Sequence, residues 1–472
     1  MEFRNAERGR LVPQVGGLIF GLIATSFVLA QASADPLPRT HAEGRRLAFD
    51  FPGMKVGIAE YDEGPTGTTV FYFPDSAKGA VDVRGGAPGD VNAAVLMNAR
   101  DAKLVQAVVF SGGSWYGLSA ATGVANGIKD LKAEQGDPDF IAGVVGAIIF
   151  DVGGRRFSRV TPDDLLGKAA LQSAAEGWFP LGARGAGRSA MQGRYFVRGV
   201  SADDSANWPH SGQGGAFRTI GPTKVAVFTV VNALGTIVDR DGRVVRCERN
   251  GHEKKCPMIK DQFKAFAPIG GSADSPPTGP TGNTTLTLVV TNQKLPFWAL
   301  QRLAVQVHGS MNRGIQPFAT EADGDVLFAV STDEIDNPDL SPMDLGVLAS
   351  ELAWDAILSS VPDVPPAPAL QRVQPDGEAL RRFNGSYDFD GGGVLTIAYE
   401  EGALRASFQG NGRMFFDKDR TYRLAAAENG QFVIDAPASD VIRFEESEGR
   451  ISGLTMNPGP WPIRATRRDQ SN

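Results

Sequence analysis

The stretch GPTGNTTLTLVVTN, residues 279–292, changes character at the junction between Asn283 and Thr284. Turn-forming residues precede the junction, and a run rich in Thr and Val follows it. Because β-branched side chains pack well on a pleated sheet, residues 284–291 predict a buried strand after an exposed loop. A chain cut at this junction would begin with Thr284, whose free α-amine could activate its own hydroxyl. The local pattern alone favours the simpler interpretation, a loop that ends in a strand.

The composition indicates a globular protein with a sizeable core. The chain has 472 residues, 42% of them hydrophobic, a formal net charge of -7 and a pI near 5.4. This length suggests two or three domains. The acidic balance and the lack of a basic stripe argue against a nucleic-acid partner or an anionic membrane surface.

The first 34 residues have the pattern of an export signal. Three arginines precede the apolar run 16–30, and Ala32-Ser33-Ala34 follows it as a small-residue cleavage site. An uncleaved membrane anchor is the alternative, but the run is short for a span. We expect an exported protein, periplasmic or secreted, with no stable membrane insertion after cleavage.

The chain contains two cysteines, Cys247 and Cys256, within the polar segment RCERNGHEKKC. In an exported protein they could form a disulfide that closes this loop, or they could remain free thiols. A metal site is disfavoured because His252 is the one histidine nearby. We expect neither a metal nor another cofactor.

Hydrophobic periodicity predicts mixed strands and helices up to residue 361. Strands are predicted at 55–61, 68–73, 80–86, 140–152, 223–231, 284–291 and 326–332, and helices at 115–134, 162–177, 297–311 and 341–361. Without a regular βαβ repeat, this order favours a layered α+β sandwich over a doubly wound sheet. The Pro-rich segment 362–370 is a predicted linker. Residues 371–472 contain short runs in which apolar and polar residues alternate, and this pattern predicts a small all-β barrel or sandwich.

The residues that could carry chemistry form no Ser-His-Asp pattern, and no G-x-S-x-G elbow is present. SGGSWYG at 111–117 is better explained as a glycine turn into a helix. In TEADGDVLFAV, Asp323 and Asp325 bracket a glycine just before a strand. The two carboxylates could orient a hydroxyl and an amine or share a proton, although an exposed Asp-Gly turn gives the same pattern.

Several separated motifs together resemble one family, over residues 46–361. They are FDFPGMKVGIAEYDEGPTGTTV, AVDVRGGAPG, GGSWYGL, GNTTLTLVVTN and RGIQPFATEADGDVLFAVSTDEID. The resemblance is to the NylC-type 6-aminohexanoate-oligomer (nylon-oligomer) endohydrolases, within the DmpA class of self-cleaving aminopeptidases and amidases. An ordered set of motifs is more specific than any single one. The β-module after residue 370 lies outside this resemblance.

The resemblance implies a four-layer α/β/β/α sandwich, usually a tetramer, cleaved between Asn283 and Thr284 into an α-chain, 35–283, and a β-chain, 284–472. Thr284 would be the nucleophile. Asp323 and Asp325 match the family's paired aspartates, Asn232 its oxyanion-stabilising asparagine, and Tyr116 its active-site tyrosine.

One position departs from the family's pattern. Arg194, in GAGRSAMQGR, stands where the family has a lysine at the substrate-binding site, and arginine keeps the charge but stays protonated. The expected substrate is a small or oligomeric linear amide. Two other functions stay open: an exported aminopeptidase or D-amino-acid amidase, and an uncleaved binding protein on the same scaffold.

Overall fold

The structure is a computed structural model. It describes residues 36–41, 43–98, 101–151, 159–197, 209–247, 256–265, 283–363, 370–389, 393–410, 420–435, 440–457 and 461–468. The predicted export signal and most of the predicted linker lie outside these residues. Among the helices of the described part, none has the length and apolar character that a membrane span requires.

The body of the protein, up to residue 363, contains thirteen strands and six helices among its described residues. The strands are β1 Arg46–Ala48, β2 Lys55–Tyr61, β3 Thr66–Val83, β4 Asp90–Val91, β5 Val105–Ser111, β6 Val144–Ile148, β7 Trp178–Pro180, β8 Gln213–Ile220, β9 Thr223–Asn232, β10 Thr236–Ile237, β11 Thr284–Gln293, β12 Ile315–Gln316 and β13 Val326–Ile335. The helices are α1 Ala93–Met97, α2 Ser119–Glu134, α3 Asp164–Gln172, α4 Ile259–Ala265, α5 Phe297–Ser310 and α6 Pro342–Ser359.

Two sheets are joined through the long strand β3. Its first half pairs with β2 and β5, and its second half pairs antiparallel with β13. From β3 the first sheet continues through β5 and β6 to β4, and the second through β13, β11 and β9 to β8. Strand β11 therefore lies in the centre of the second sheet, parallel to β13 and antiparallel to β9.

Alternating side chains of these strands build three apolar layers. Phe71, Phe228 and Phe328 belong to a cluster between the two sheets. On the outer face of the second sheet, neighbours such as Leu327 pack against α5 and α6. On the outer face of the first sheet, Val109 and others pack against α2 and α3. The order is helix, sheet, sheet, helix, so the predicted four-layer α/β/β/α sandwich is confirmed.

Local boundaries differ from the sequence prediction, most clearly at two places. The predicted strands 68–73 and 80–86 are parts of one 18-residue strand. Pro74 and its neighbours interrupt the regular pairing, and Ser76 has a positive φ of 59°. The chain does not reverse there, so the strand continues. The predicted helix 162–177 is shorter: it begins after Asp163, whose carboxylate accepts the Leu166 N–H. Pro162 consequently precedes the helix and is not part of its first turn.

The C-terminal residues form a closed antiparallel barrel of eight strands, and the predicted all-β module is confirmed as a barrel. After the short helix α7, Gly377–Leu380, its strands are β14 Gly385–Phe389, β15 Gly393–Glu400, β16 Ala403–Gly410, β17 Thr421–Ala426, β18 Gln431–Ile434, β19 Val441–Ser447, β20 Arg450–Met456 and β21 Ile463–Arg467. Pairing between β14 and β21 closes the barrel around an apolar core.

Candidate active site

The site is built around the first residue of β11. Thr284 is 3% exposed and lies opposite Asn232, the last residue of β9, in the antiparallel pairing. The Thr284 hydroxyl donates a hydrogen bond of 2.6 Å to the carbonyl oxygen of Asn283. The Thr284 hydroxyl is therefore in direct contact with the Asn283–Thr284 peptide, the predicted cleavage point.

Gly324 provides a second donor to the same carbonyl. Its backbone N–H donates to the Asn283 oxygen at 2.6 Å, and Asn283 in turn donates its N–H to the carbonyl of Ala322. A Cβ on residue 324 would lie 2.8 Å from the Thr284 hydroxyl oxygen and 2.7 Å from the carbonyl oxygen of Ala87. Glycine is required here by space, because both contacts are shorter than real Cβ contacts.

The two aspartates that flank Gly324 are buried. Asp325 is fully buried and accepts the N–H groups of Thr285 at 2.5 Å and Ala319 at 3.1 Å. Asp323 is 2% exposed and accepts from Thr320, through its hydroxyl at 2.7 Å and its N–H at 2.9 Å. The interpretation of this segment as an exposed Asp-Gly turn is therefore wrong, because backbone donors of the site enclose both carboxylates.

Burial dominates the electrostatics of this pair. It raises the pKa of Asp325 well above the ordinary carboxyl value, and the neighbouring charge of Asp323 raises it further. Burial also raises the pKa of Asp323, while the hydrogen bonds from Thr320 act in the opposite direction. Because the two neighbouring carboxylates are both buried, the state in which the pair binds a proton is favoured.

Both atoms of the Asn232 carboxamide are held. Its Oδ1 accepts the N–H of Met191 at 3.0 Å, and its Nδ2 donates to the carbonyl of Phe150 at 2.9 Å. An amide nitrogen has two hydrogens, so Nδ2 keeps a second donor. Asn232 is fully buried and pairs directly with Thr284 across the two strands, so the two side chains lie on the same face of the sheet.

Arg194 contacts the residue before the predicted cleavage point. The side chain is 8% exposed, and its Nη1 lies 3.4 Å from Oδ1 of Asn283. Burial lowers the pKa of Arg194 to about 10, while the charge of Asp151 acts in the opposite direction. Asp151 also accepts the N–H of Gly113, at 2.8 Å.

The structure also describes the other predicted residues. Tyr116 is 75% exposed, on the 3-10 helix Ser114–Leu118 that follows the Gly113 turn, so SGGSWYG is a glycine turn into a helix as the sequence favoured. Cys247 and Cys256 are joined in a disulfide, with Cα atoms 5.6 Å apart. In the described part of the chain, no group of His, Cys, Asp or Glu side chains is arranged to hold a metal ion.

Sequence reasoning missed the backbone donors at the site, among them the N–H groups of Met191, Gly324 and Leu234, the last lying 3.3 Å from Oδ1 of Asp323. Main-chain donors leave no signature in residue type. The glycine between the two aspartates is the one available signal, and an exposed turn would explain it as well.

Comparisons with known proteins agree with this geometry. The sequence model of Peptidase family S58 matches residues 48–364. The chain is 40% identical to the "6-aminohexanoate-oligomer endohydrolase" of Paenarthrobacter ureafaciens over 66% of this chain and 85% of that protein. It is 39% identical to the protein of the same name from Kocuria sp. (strain KY2), over 70% of this chain and 90% of that protein.

A more distant relative carries a different description. The chain is 32% identical to "Uncharacterized aminopeptidase Rv1333" of Mycobacterium tuberculosis (strain ATCC 25618 / H37Rv), over 58% of this chain and 75% of that protein. The family match covers the layered body and ends before the barrel begins. The resemblance found in the sequence motifs is thereby confirmed: the chain belongs to Peptidase family S58 and is a hydrolase related to the 6-aminohexanoate-oligomer endohydrolases.

Proposed function

We propose that this hydrolase cuts its own backbone between Asn283 and Thr284 and then uses Thr284 as the nucleophile on linear amides. The observation that carries the proposal is the pair of 2.6 Å hydrogen bonds at the Asn283 carbonyl oxygen, one from the Thr284 hydroxyl and one from the Gly324 N–H. The nucleophile and a donor that polarises the carbonyl thus meet at a single peptide.

In the processing step, the Thr284 Oγ attacks the Asn283 carbonyl carbon. The C–N bond breaks, an ester forms, and the α-amine of Thr284 takes up the proton that the hydroxyl releases. Water then hydrolyses the ester, which leaves a carboxylate on Asn283 and restores the threonine hydroxyl. The Gly324 N–H is placed to stabilise the oxygen that becomes negative during attack.

In turnover, the freed α-amine of Thr284 is the general base, since an amino terminus has a pKa of about 7.7–8.0 and is partly unprotonated at neutral pH. Oγ gives its proton to the α-amine and attacks the substrate amide carbon, while the second Nδ2 hydrogen of Asn232 stabilises the oxyanion. The C–N bond breaks and the substrate amine leaves with the proton from the α-ammonium. Water then hydrolyses the ester, which releases the acid and restores the threonine hydroxyl. Asp323 and Asp325 hold the backbone around the nucleophile, and Asp325 does so through the N–H of Thr285.

Mass spectrometry of the purified protein tests the processing step directly. We expect two fragments that meet at the 283/284 bond. Thr284→Ala should give one uncut chain and lower amide hydrolysis by about 10⁴-fold or more, because the nucleophile is gone. Thr284→Ser is the matched control, since it keeps a hydroxyl and should still be cut. An uncut wild type that hydrolyses amides at full rate would refute the proposal.

The substrate class follows from the relatives and is part of the proposal. We infer linear oligoamides similar to 6-aminohexanoate oligomers, and the alternative is an aminopeptidase or D-amino-acid amidase. A time course on a long aminohexanoate oligomer separates the two, because an endo-hydrolase releases oligomers early whereas an aminopeptidase releases single residues.

Export and assembly complete the proposal. We propose that residues 1–34 are removed during export to the periplasm or the medium, and that processed protomers form a tetramer. Amino-terminal sequencing of protein from the producing cell tests the first statement. Light scattering tests the second, and a mass of one protomer would refute it.

A further inference from the structure

Trp461, a residue of the C-terminal barrel, contacts the neighbourhood of the active site. This residue lies between β20 and β21, outside the residues that the family model matches. Its indole Nε1 donates a hydrogen bond of 2.7 Å to the carbonyl oxygen of Arg188. Its ring stacks on His210, with centroids 3.5 Å apart and planes 5° from parallel. Trp461 thus contacts two separate backbone segments of the body.

These two segments pair with each other beside the site. Met191 and His210 form an antiparallel bridge, and backbone hydrogen bonds of 3.0 and 3.1 Å flank it. We call this pair of segments, residues 188–192 and 209–211, the ribbon. Its Met191 N–H binds Oδ1 of Asn232 at 3.0 Å, so the ribbon orients the carboxamide opposite Thr284.

The contact of Trp461 with the ribbon is directional. An indole hydrogen bond to a main-chain carbonyl fixes the ring in position, and a parallel stack fixes the plane of the imidazole. His210 is 2% exposed and lies under the indole. On the body side, the Arg188 guanidinium lies 3.8 Å from the buried Glu60 carboxylate. The first segment of the ribbon is therefore held from both sides.

We propose that Trp461 is a positioning residue for the amidase site, which keeps the ribbon in place so that Asn232 presents its second Nδ2 hydrogen beside Thr284. This inference rests on the proposed function, because it takes Asn232 as the oxyanion donor. It makes the barrel a structural part of the active site, although the barrel lies outside the family match.

The test compares Trp461→Ala and Trp461→Phe in the full-length protein, with an aminohexanoate oligomer as substrate. Deleting an oxyanion donor lowers kcat by about 10²–10³-fold, so misplacing one should cost about 10- to 100-fold in kcat with little change in KM. Trp461→Phe keeps a stacking ring and loses the N–H, so we expect a smaller loss. Trp298→Ala, which removes an exposed tryptophan of α5, is the control and should keep the wild-type kcat.

A double-mutant cycle with Asn232→Ala separates positioning from a general effect on folding. If Trp461 acts through Asn232, its removal should cost less than about twofold in kcat once the carboxamide is absent. An equal loss in both backgrounds would overturn the inference, and so would an unchanged kcat in Trp461→Ala. If thermal unfolding shows that Trp461→Ala does not fold, the same double-mutant cycle is measured with Trp461→Phe, and the same outcomes decide the inference.

Failure of this inference differs from failure of the proposed function. A wild type that cuts itself and hydrolyses the oligomer, together with a fully active Trp461→Ala, refutes only the positioning role. A wild type that stays uncut and inactive refutes both.

Discussion

The layered body and the C-terminal barrel bury different kinds of side chain. At the site the body encloses Thr284, Asn232 and Asp325, each at most 3% exposed, whereas the barrel core consists mainly of aromatic and aliphatic groups. Buried polar groups cost stability unless hydrogen bonds compensate them. The body therefore buries polar groups at a cost in stability, and this burial positions the reactive groups. The barrel core is apolar and stabilises the fold, and Trp461 of the barrel contacts the ribbon beside the site.

The largest expected effect is on self-cleavage by the body. Gly324→Ala would place a methyl group 2.8 Å from the Thr284 hydroxyl oxygen and 2.7 Å from a backbone oxygen. The donor and the nucleophile must then move apart, and we expect self-cleavage to slow by about 10³-fold or more. Electrophoresis over a time course after synthesis measures this rate.

Gly309→Ala is the matched control for this change. Gly309 lies in α5, where an added Cβ would have ordinary contacts of 3.6 Å or more. We expect normal cleavage in this variant. Equal cleavage in the two variants would mean that Gly324 does not shape the site.

A buried charge of the body gives the next largest effect. Arg194→Met keeps much of the side-chain volume but removes the positive charge near Asp151, so we expect the free energy of unfolding to fall by about 3 kcal/mol. Self-cleavage should slow as well, because Arg194 contacts the Asn283 side chain. Chemical denaturation and the cleavage time course measure the two effects.

Arg194→Lys tests whether charge or shape matters at this position. It restores the residue that the resembling family has there, and we expect most of both losses to be recovered. A lysine variant as impaired as the methionine variant would show that the planar guanidinium is required.

A residue of the barrel core should respond in the opposite way, with lower stability and unchanged self-cleavage. Leu404 is fully buried in the barrel core, and Leu404→Ala should lower the free energy of unfolding by about 2–3 kcal/mol through the cavity it leaves. At 25 °C, where the variant stays folded, self-cleavage should proceed at the wild-type rate. A slowed cleavage would contradict the division between the two regions.

The smallest effect concerns the dependence of stability on pH. The folded pKa of Asp325 is raised above its ordinary value of 3.8, so the folded state binds the proton more tightly than the unfolded chain. This contribution to stability is fully present below the ordinary pKa and is lost as pH rises through the folded pKa. We expect a loss of up to about 1.4 kcal/mol per pH unit within that window.

Denaturation of the uncut Thr284→Ala chain at a series of pH values, rising from the ordinary carboxyl pKa, measures this slope. Asp325→Asn in the same background should flatten it, because the titrating group is gone. An unchanged slope would assign the titration to another group.

The sequence predicts strand β11 and helix α5 well because both have local causes. The run of β-branched residues after Asn283 specifies the strand β11, and the three-and-four spacing of apolar residues specifies α5. Strand β8 has no such signal, since two glycines and an arginine interrupt its sequence QGGAFRTI, and it was missed. The roles assigned to the site residues stay predictions that the experiments above address.

What the sequence could not predict depends on distant contacts. The Asp323–Asp325 segment has the pattern of an exposed turn, and only the surrounding backbone donors make it a buried pair. Trp461 lies 273 positions from the carbonyl that its indole binds, so no local pattern could connect them. Such pairings are set by the three-dimensional packing of the chain.

The strand order of the second sheet has a consequence for a protein that has cut itself. Strands β13 and β11 would belong to the carboxyl-terminal fragment, yet they lie between β3 and β9 of the amino-terminal fragment. Main-chain hydrogen bonds would thus join the two fragments on both sides of the β13–β11 pair, to β3 on one side and to β9 on the other. Breaking one covalent link would expose a new amino terminus and leave the two polypeptides inseparable short of unfolding.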